Sequence, residues 1–309
     1  MEFEQILGKY NGIVDREIKS FFEAKIQGTK DPFLKASYSH LKEFVLRPGK
    51  RIRPIAAIMA YRAIKEGNEE WVYPVSIAPE LFHASSLIHD DIMDEDSLRR
   101  HKPTMHRIFE HYFKTKFKDK KYGGDIFDSY SKRFAVSMGI IQGNLLYSLS
   151  FSSILGSRLD DKMKSISLGI LNEGYCKTNE GQMFDLIMAA NKKADEKSYI
   201  GMVIGKTASP LSAAILFGAA LNNAAPFQIE QLEKYSLLAG LAFQIQDDIL
   251  DISEGMGKGR GIGSDLKRGN KTLMIMRALQ KGDERQRKTI LNALGNNRAT
   301  SSQTREAIK

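Results

Sequence analysis

Cysteine is nearly missing from these 309 residues, with Cys176 standing alone. One cysteine excludes an intrachain disulfide framework and any thiolate-rich metal site, which fits a reducing, cytoplasmic setting with Cys176 as a small core residue. With 8 prolines and 25 glycines, the chain is neither collagen-like nor compositionally disordered. Strand signals are also lacking, since no run alternates apolar and polar residues between hairpin turns. Two stretches carry no charge, 134–156 and 207–228, yet Ser, Gly, Asn, Gln and Pro dilute both. They read as buried helices, and no transmembrane segment is expected. The N-terminal MEFEQILGKYNGIVDREIK has acids from its second residue and apolar residues at helical spacing, an amphipathic helix rather than a signal peptide.

What is present is the helical period almost everywhere. It predicts helices over about 2–27, 32–46, 51–67, 72–95, 103–113, 130–155, 160–175, 178–192, 196–223, 227–252, 271–281 and 284–294. The punctuation between them is RPGK (47–50), YGGD (122–125) and GMGKGRGIGSD (255–265). The polar, Lys-rich segment at about 114–129 reads as a surface insertion. With no repeat and no linker-like shift in composition, the expectation is a single all-α domain over residues 1–309.

The net charge of +9 welcomes an anionic partner, whether nucleic acid, a membrane surface or a phosphorylated small molecule. No zinc-finger spacing or RNP-like aromatic string accompanies the basic residues, so nucleic acid is not expected as a partner. Acid is the more informative pattern. In HASSLIHDDIMDEDSLRR (83–100), Asp90, Asp91 and Asp94 spell D-D-x-x-D near the end of an apolar helix. Residues four apart share a helix face, so Asp90 and Asp94 present carboxylates together while Asp91 flanks them. Such repulsion is tolerated where a divalent cation is shared, and all-oxygen ligands favour Mg2+. The spelling recurs in FQIQDDILD (243–251) as Asp247, Asp248 and Asp251, and neither copy has the alternating ligands of an EF-hand. Two such clusters facing each other across a cavity would hold several Mg2+ ions, and through them a diphosphate. Lys50, Arg51, Arg53, Arg99, Arg100, Lys206, Lys258 and Lys271 are the cations available to complete that clamp.

These residues together resemble the trans (head-to-tail) isoprenyl diphosphate synthases, the farnesyl and geranylgeranyl diphosphate synthase family. The likeness runs from about residue 40 to 280 through GKRIRP (49–54), ELFHASSLIHDDIMD with LRR (80–100), KPTMH (102–106), GQMFDL (181–186), GKTASPL (205–211), GLAFQIQDDILD (240–251) and GSDLKRGNKT (263–272). The resemblance implies the isoprenoid synthase fold, a helical bundle around a central cavity, in a homodimeric, cytoplasmic enzyme. The implied reaction is Mg2+-dependent elongation of an allylic diphosphate by isopentenyl diphosphate, with released diphosphate as the base.

By that likeness, Asp90, Asp94 and Asp247 would ligate Mg2+, with Asp91, Asp248 and Asp251 in support. Arg99, Lys206, Thr207, Gln244, Lys258 and Lys271 would serve the allylic diphosphate, and Gly49, Lys50, Arg53, His83 and Arg100 isopentenyl diphosphate. Gln182 and Asp185 would order the site from behind or simply pack helices; Tyr199 and Phe243 are expected as core packing. Phe82, Ser85 and Ser86 would set product length. The two serines stand where farnesyl synthases tend to carry bulky aromatics, so C20 geranylgeranyl diphosphate is expected, with C25 to C30 products as the alternative. A class I terpene cyclase is less favoured, because the second motif here is acidic throughout.

Departures from the family pattern are Pro48 and His101 at positions where glycine is common, Asn144 for a frequent Asp, and Asn270 for a lysine. The short spacing after Asp251 leaves Arg260 competing with Lys258. The sequence stops at TREAIK, where relatives continue, so a shortened C-terminal lid is expected.

Overall fold

The computed structural model describes residues 3–190, 195–253, 262–296 and 298–309. The chain divides into two compact units, residues 1–171 with 214–225 and residues 172–213 with 226–309.

In the first unit, α1 (Phe3–Gly28) buries Tyr10, Val14, Ile18 and Phe22, a strict four-residue stripe, against its neighbours. Helix α2 (Pro32–Val45) starts on Asp31, whose carboxylate accepts from the Leu34 N–H at 2.9 Å. Helices α3 (Ile52–Ile64) and α4 (Tyr73–Ser76) lead to α5 (Ala78–Met93), which carries the first acidic motif. The sequence predicts one helix over 72–95; Pro79 instead begins a new one, because proline opens a helix but cannot continue it. Helix α5 packs along α7 (Tyr130–Leu155), and α6 (Met105–Lys116) joins α7 through rings such as Phe109 and Phe134, 6.3 Å apart. An antiparallel pair of two-residue strands, β1 (Leu98–Arg99) and β2 (Lys102–Pro103), interrupts the helices, too short for any alternation to announce it.

Helix α8 (Asp161–Ala190) runs unbroken through 175–178, where two helices are expected, and Cys176 on it is exposed rather than a core residue. In the second unit, α9 (Glu196–Val203) runs into a π-helical turn, Ile204–Ala208, before α10 (Ser209–Leu221). Helix α11 (Pro226–Ile252) carries the second acidic motif. Tyr199 and Val203 pack there with Leu241, Ile245, Leu273 and Met276. Helices α12 (Ser264–Arg268), α13 (Leu273–Lys281), α14 (Glu284–Ala293) and α15 (Ser301–Ile308) follow. Capping boxes at Asp283 and Thr300 start the last two. The stretches Tyr130–Leu155 and Glu196–Leu221 are long and apolar enough to cross a membrane by length and composition.

Candidate active site

The first acidic motif closes α5. Asp94 is the C-cap, its N–H donating to the Asp90 carbonyl at 2.8 Å, and its side chain is exposed. Asp91 turns inward and is 0% exposed. The Arg99 Nε donates to Asp91 Oδ1 at 2.5 Å, while its Nη2 lies 3.4 Å from Asp90 Oδ2. Burial pushes the Asp91 carboxyl up to about 7 despite the pull of Arg99. Asp91 Oδ2 has no hydrogen-bond partner.

Arg99 is delivered by the β1–β2 hairpin, whose turn residues Arg100 and His101 both have positive φ, 53° and 62°. A two-residue hairpin turn demands such angles, and glycine satisfies them without strain. That accounts for the glycine common in place of His101. Buried Arg47 holds the hairpin, donating to the carbonyls of Arg99 at 3.3 Å and Pro103 at 2.9 Å. The Arg47 carbonyl in turn accepts from Arg51 Nη2 and Arg100 Nη1, both at 3.0 Å.

Gly49, Lys50, Arg53, His83 and Arg100 lie in this same unit. A Cβ on Gly49 would stand 2.9 Å from the Arg100 guanidinium nitrogens, so a side chain there would displace the Arg100 head group. Burial, then the charges of Arg53 and Arg100, hold His83 well below the usual imidazole value. It is neutral, with an N–H to donate.

The second motif is organised by different partners. Asp248, 3% exposed, accepts from the Tyr199 hydroxyl at 2.5 Å and from Gln244 Nε2 at 2.8 Å. Gln244 Oε1 accepts from the Thr207 hydroxyl at 2.9 Å, which extends the chain of bonds into the π-helical turn. Burial pushes Asp248 up to about 6 against the lowering effect of Tyr199 and Gln244. The same burial and the adjacent carboxylate raise Tyr199, which stays protonated. Asp251 accepts from Ser264 Oγ at 2.6 Å and the Asp265 N–H at 3.1 Å, anchoring the start of α12. Lys206 donates to Asp185 at 2.6 Å. A π-helical turn carries one extra residue per turn and re-aims its side chains. Here Gly205 and Gly181 let its backbone meet α8, since a Cβ on Gly205 would come within 2.8 Å of Gly181 Cα.

Among the described residues no three His, Cys, Asp or Glu side chains converge as a metal site. The reason lies in the inner members: Asp91 faces Arg99, Asp248 faces Tyr199 and Gln244, and Asp251 faces α12. The donor set nonetheless fits Mg2+. It is all carboxylate oxygen, burial raises Asp91 and Asp248 in a way that a cation would reverse, and Asp91 Oδ2 lacks a hydrogen-bond partner.

Residues 34–309 match the family described as Polyprenyl synthetase. The chain belongs to the polyprenyl synthetase family. It is 33% identical over 298 residues to a short chain isoprenyl diphosphate synthase of Methanocaldococcus jannaschii, covering 96% of this chain and 80% of that one. A geranylgeranyl diphosphate synthase of Methanosarcina mazei is 32% identical over 265 residues, covering 84% of this chain and 71% of its own. The crystal structure of geranylgeranyl pyrophosphate synthetase from Pyrococcus horikoshii superposes with a TM-score of 0.80 at 27% identity, covering 100% of this chain and 85% of that one. The fold is therefore the all-helical isoprenoid synthase fold.

Several of the candidate site residues stand differently from what the sequence leads one to expect. Lys258 and its competitor Arg260 lie outside the described residues. Lys271 donates to the carbonyls of Met188 at 2.9 Å and Ala189 at 3.5 Å, at the C-terminal end of α8, where a cation suits the helix dipole. Phe243 is 54% exposed and not core packing. Phe82 and Ser85 are closed off at 1% and 0% exposure, whereas Ser86 is half-buried, its hydroxyl on the His83 carbonyl at 2.8 Å. Any opening beneath the first motif is thus at Ser86, not Ser85. Arg47, Arg51, Glu80 and Tyr199 carry parts that the sequence reading did not give them. Glu80, a lone carboxylate in the apolar run APELF, and Tyr199, whose buried hydroxyl needs a partner, were the available signals.

Proposed function

We propose that this chain is a Mg2+-dependent trans-prenyltransferase that joins isopentenyl diphosphate head-to-tail to an allylic diphosphate, with C20 geranylgeranyl diphosphate as product. The observation that carries the reading is the duplicated acidic helix end, each copy with a buried central carboxylate held by dedicated donors. The names of the relatives, a short chain isoprenyl diphosphate synthase and geranylgeranyl diphosphate synthases, support it.

Asp90, Asp94 and Asp247 hold Mg2+, and Asp91, Asp248 and Asp251 set the helix ends that present them. When bound, the cations neutralise charge on the departing diphosphate. Arg99, Lys206, Lys258 and Lys271 grip the allylic diphosphate. Gly49, Lys50, Arg53, neutral His83 and Arg100 hold isopentenyl diphosphate. Thr207, whose hydroxyl hydrogen goes to Gln244, keeps its oxygen lone pairs for the carbocation that forms as the allylic bond breaks, and Gln244 lines the reacting region. The isopentenyl double bond attacks that cation, and a proton is then lost to the released diphosphate.

We assign residues 1–309 to one catalytic domain with 114–129 as an insertion, working as a cytoplasmic homodimer with no nucleic-acid partner and no transmembrane segment. Ile140, Ile141 and Leu155, exposed on α7, support a self-association face. Ser86 beneath Asp90 favours C20 over C15, and C25 to C30 products are the second reading. Incorporation of radiolabelled isopentenyl diphosphate into extractable product tests the reading. It should require both an allylic diphosphate and Mg2+; hydrocarbon release from geranylgeranyl diphosphate alone would mark a cyclase instead.

A further inference from the structure

Arg51 sits between Lys50 and Arg53, two of the three cations assigned to isopentenyl diphosphate, yet it points into the protein, with its side chain only 1% exposed. Its backbone is left-handed, φ 46° and ψ 37°, a conformation costly for a residue with a side chain. Four bonds hold it there. Arg51 Nε donates to Asp15 on α1 at 2.7 Å, Nη1 to Glu80 on α5 at 3.1 Å, and Nη2 to the Arg47 carbonyl at 3.0 Å. The Arg51 carbonyl accepts from the Ile55 N–H at 3.1 Å, opening α3. Arg47 ties the same point to Arg100, and Glu80 is also the carboxylate whose charge opposes the desolvation of Arg53 and Arg100. A strained backbone persists only where its surroundings over-determine it.

Resting on the prenyltransferase reading, we propose that Arg51 is a positioning residue, clamped by Glu80 and Asp15 so that its left-handed turn presents Gly49, Lys50 and Arg53 to isopentenyl diphosphate. Glu80 has a second part, as the buried counter-charge that lets Arg51, Arg53 and Arg100 gather in one unit. Neither residue touches the allylic diphosphate in this scheme. The clamp therefore acts directly on the isopentenyl side and reaches Arg99 only through Arg47.

The test is a pair of Michaelis constants with a binding measurement on the full-length protein. Glu80→Gln should raise KM for isopentenyl diphosphate about tenfold, the effect of one charge-assisted contact. KM for the allylic diphosphate should stay within about twofold, since Glu80 bonds Arg51 directly and reaches Arg99 only through Arg47. Asp15→Asn, at a carboxylate 45% exposed, should move the same constant in the same direction by less, and serves if Glu80→Gln does not fold. Arg51→Gly keeps the left-handed angle while losing the clamp, and should fall between wild type and Arg51→Ala. Isopentenyl diphosphate affinity by calorimetry without metal should weaken in parallel. Equal shifts in both Michaelis constants, or none, would overturn the clamp. Wild-type protein that binds isopentenyl diphosphate without turning it over would sink the prenyltransferase reading alone, because the calorimetric arm still decides the clamp. Wild-type protein that does not bind it would overturn both.

Discussion

The two D-D-x-x-D motifs are spelled alike and held differently. Asp91 meets a cation, Arg99, while Asp248 meets two neutral donors, Tyr199 and Gln244. Both are closed to solvent, and burial raises both. An ion pair delivered by a strained hairpin can be broken and remade as a substrate arrives, whereas a bond network inside a helical core holds its geometry. The first motif thus couples its carboxylates to Arg99, the arginine proposed for the allylic diphosphate. The second couples them, through Gln244 and Thr207, to the π-helical turn that carries Lys206.

The sharpest way to break the contrast is Arg99→Ala, which leaves Asp91 buried without its counter-ion. At about pH 9, where Asp91 is ionised, loss of its buried partner should cost about 3 kcal/mol, read as a fall in denaturation midpoint, and Asp91→Asn in the same chain should recover most of it. Tyr199→Phe comes next, removing one donor to a buried carboxylate. The expected loss is about 1.5–3 kcal/mol, accompanied by a higher Mg2+ concentration for half-maximal rate at unchanged KM for isopentenyl diphosphate. A third, smaller effect concerns pH. Asp91 at about 7 and Asp248 at about 6 lie above their unfolded value, so the folded chain binds more protons than the unfolded one between about pH 4 and those values. Their contribution to stability in the metal-free protein therefore falls as pH rises through that window. Mg2+ displaces the protons, so it should raise Tm more at about pH 8 than at about pH 5.5; an equal rise at both would contradict the assignment. Ser86→Phe is the mildest change, and should shorten the product to C15 with little effect on Tm. Ser85→Phe, at a closed position, should instead destabilise by overpacking.

Helix existence was legible because burial follows the period, as Tyr10, Val14, Ile18 and Phe22 illustrate. The break at Pro79 and the π-helical turn at Ile204–Ala208 were less so, since neither disturbs the apolar count around it. The charged residues of the site were legible as types but not as directions. Arg51, Arg53, Arg99 and Arg100 look equivalent in sequence. Only tertiary partners send Arg51 inward to Glu80 and Arg99 onto Asp91. Tyr199 read as core because its ring is core; its hydroxyl is what reaches Asp248. The hairpin at Leu98–Pro103 is two residues wide and leaves no period to detect.

Both acidic helix ends are proposed to serve one prenyl-transfer reaction. Mass spectrometry of products made from an allylic diphosphate, isopentenyl diphosphate and Mg2+ tests it directly, comparing wild type with Asp90→Ala and Asp247→Ala. Wild type should yield C20 diphosphate, and either variant should lose about a hundredfold or more in rate. A wild-type rate from either variant would contradict it.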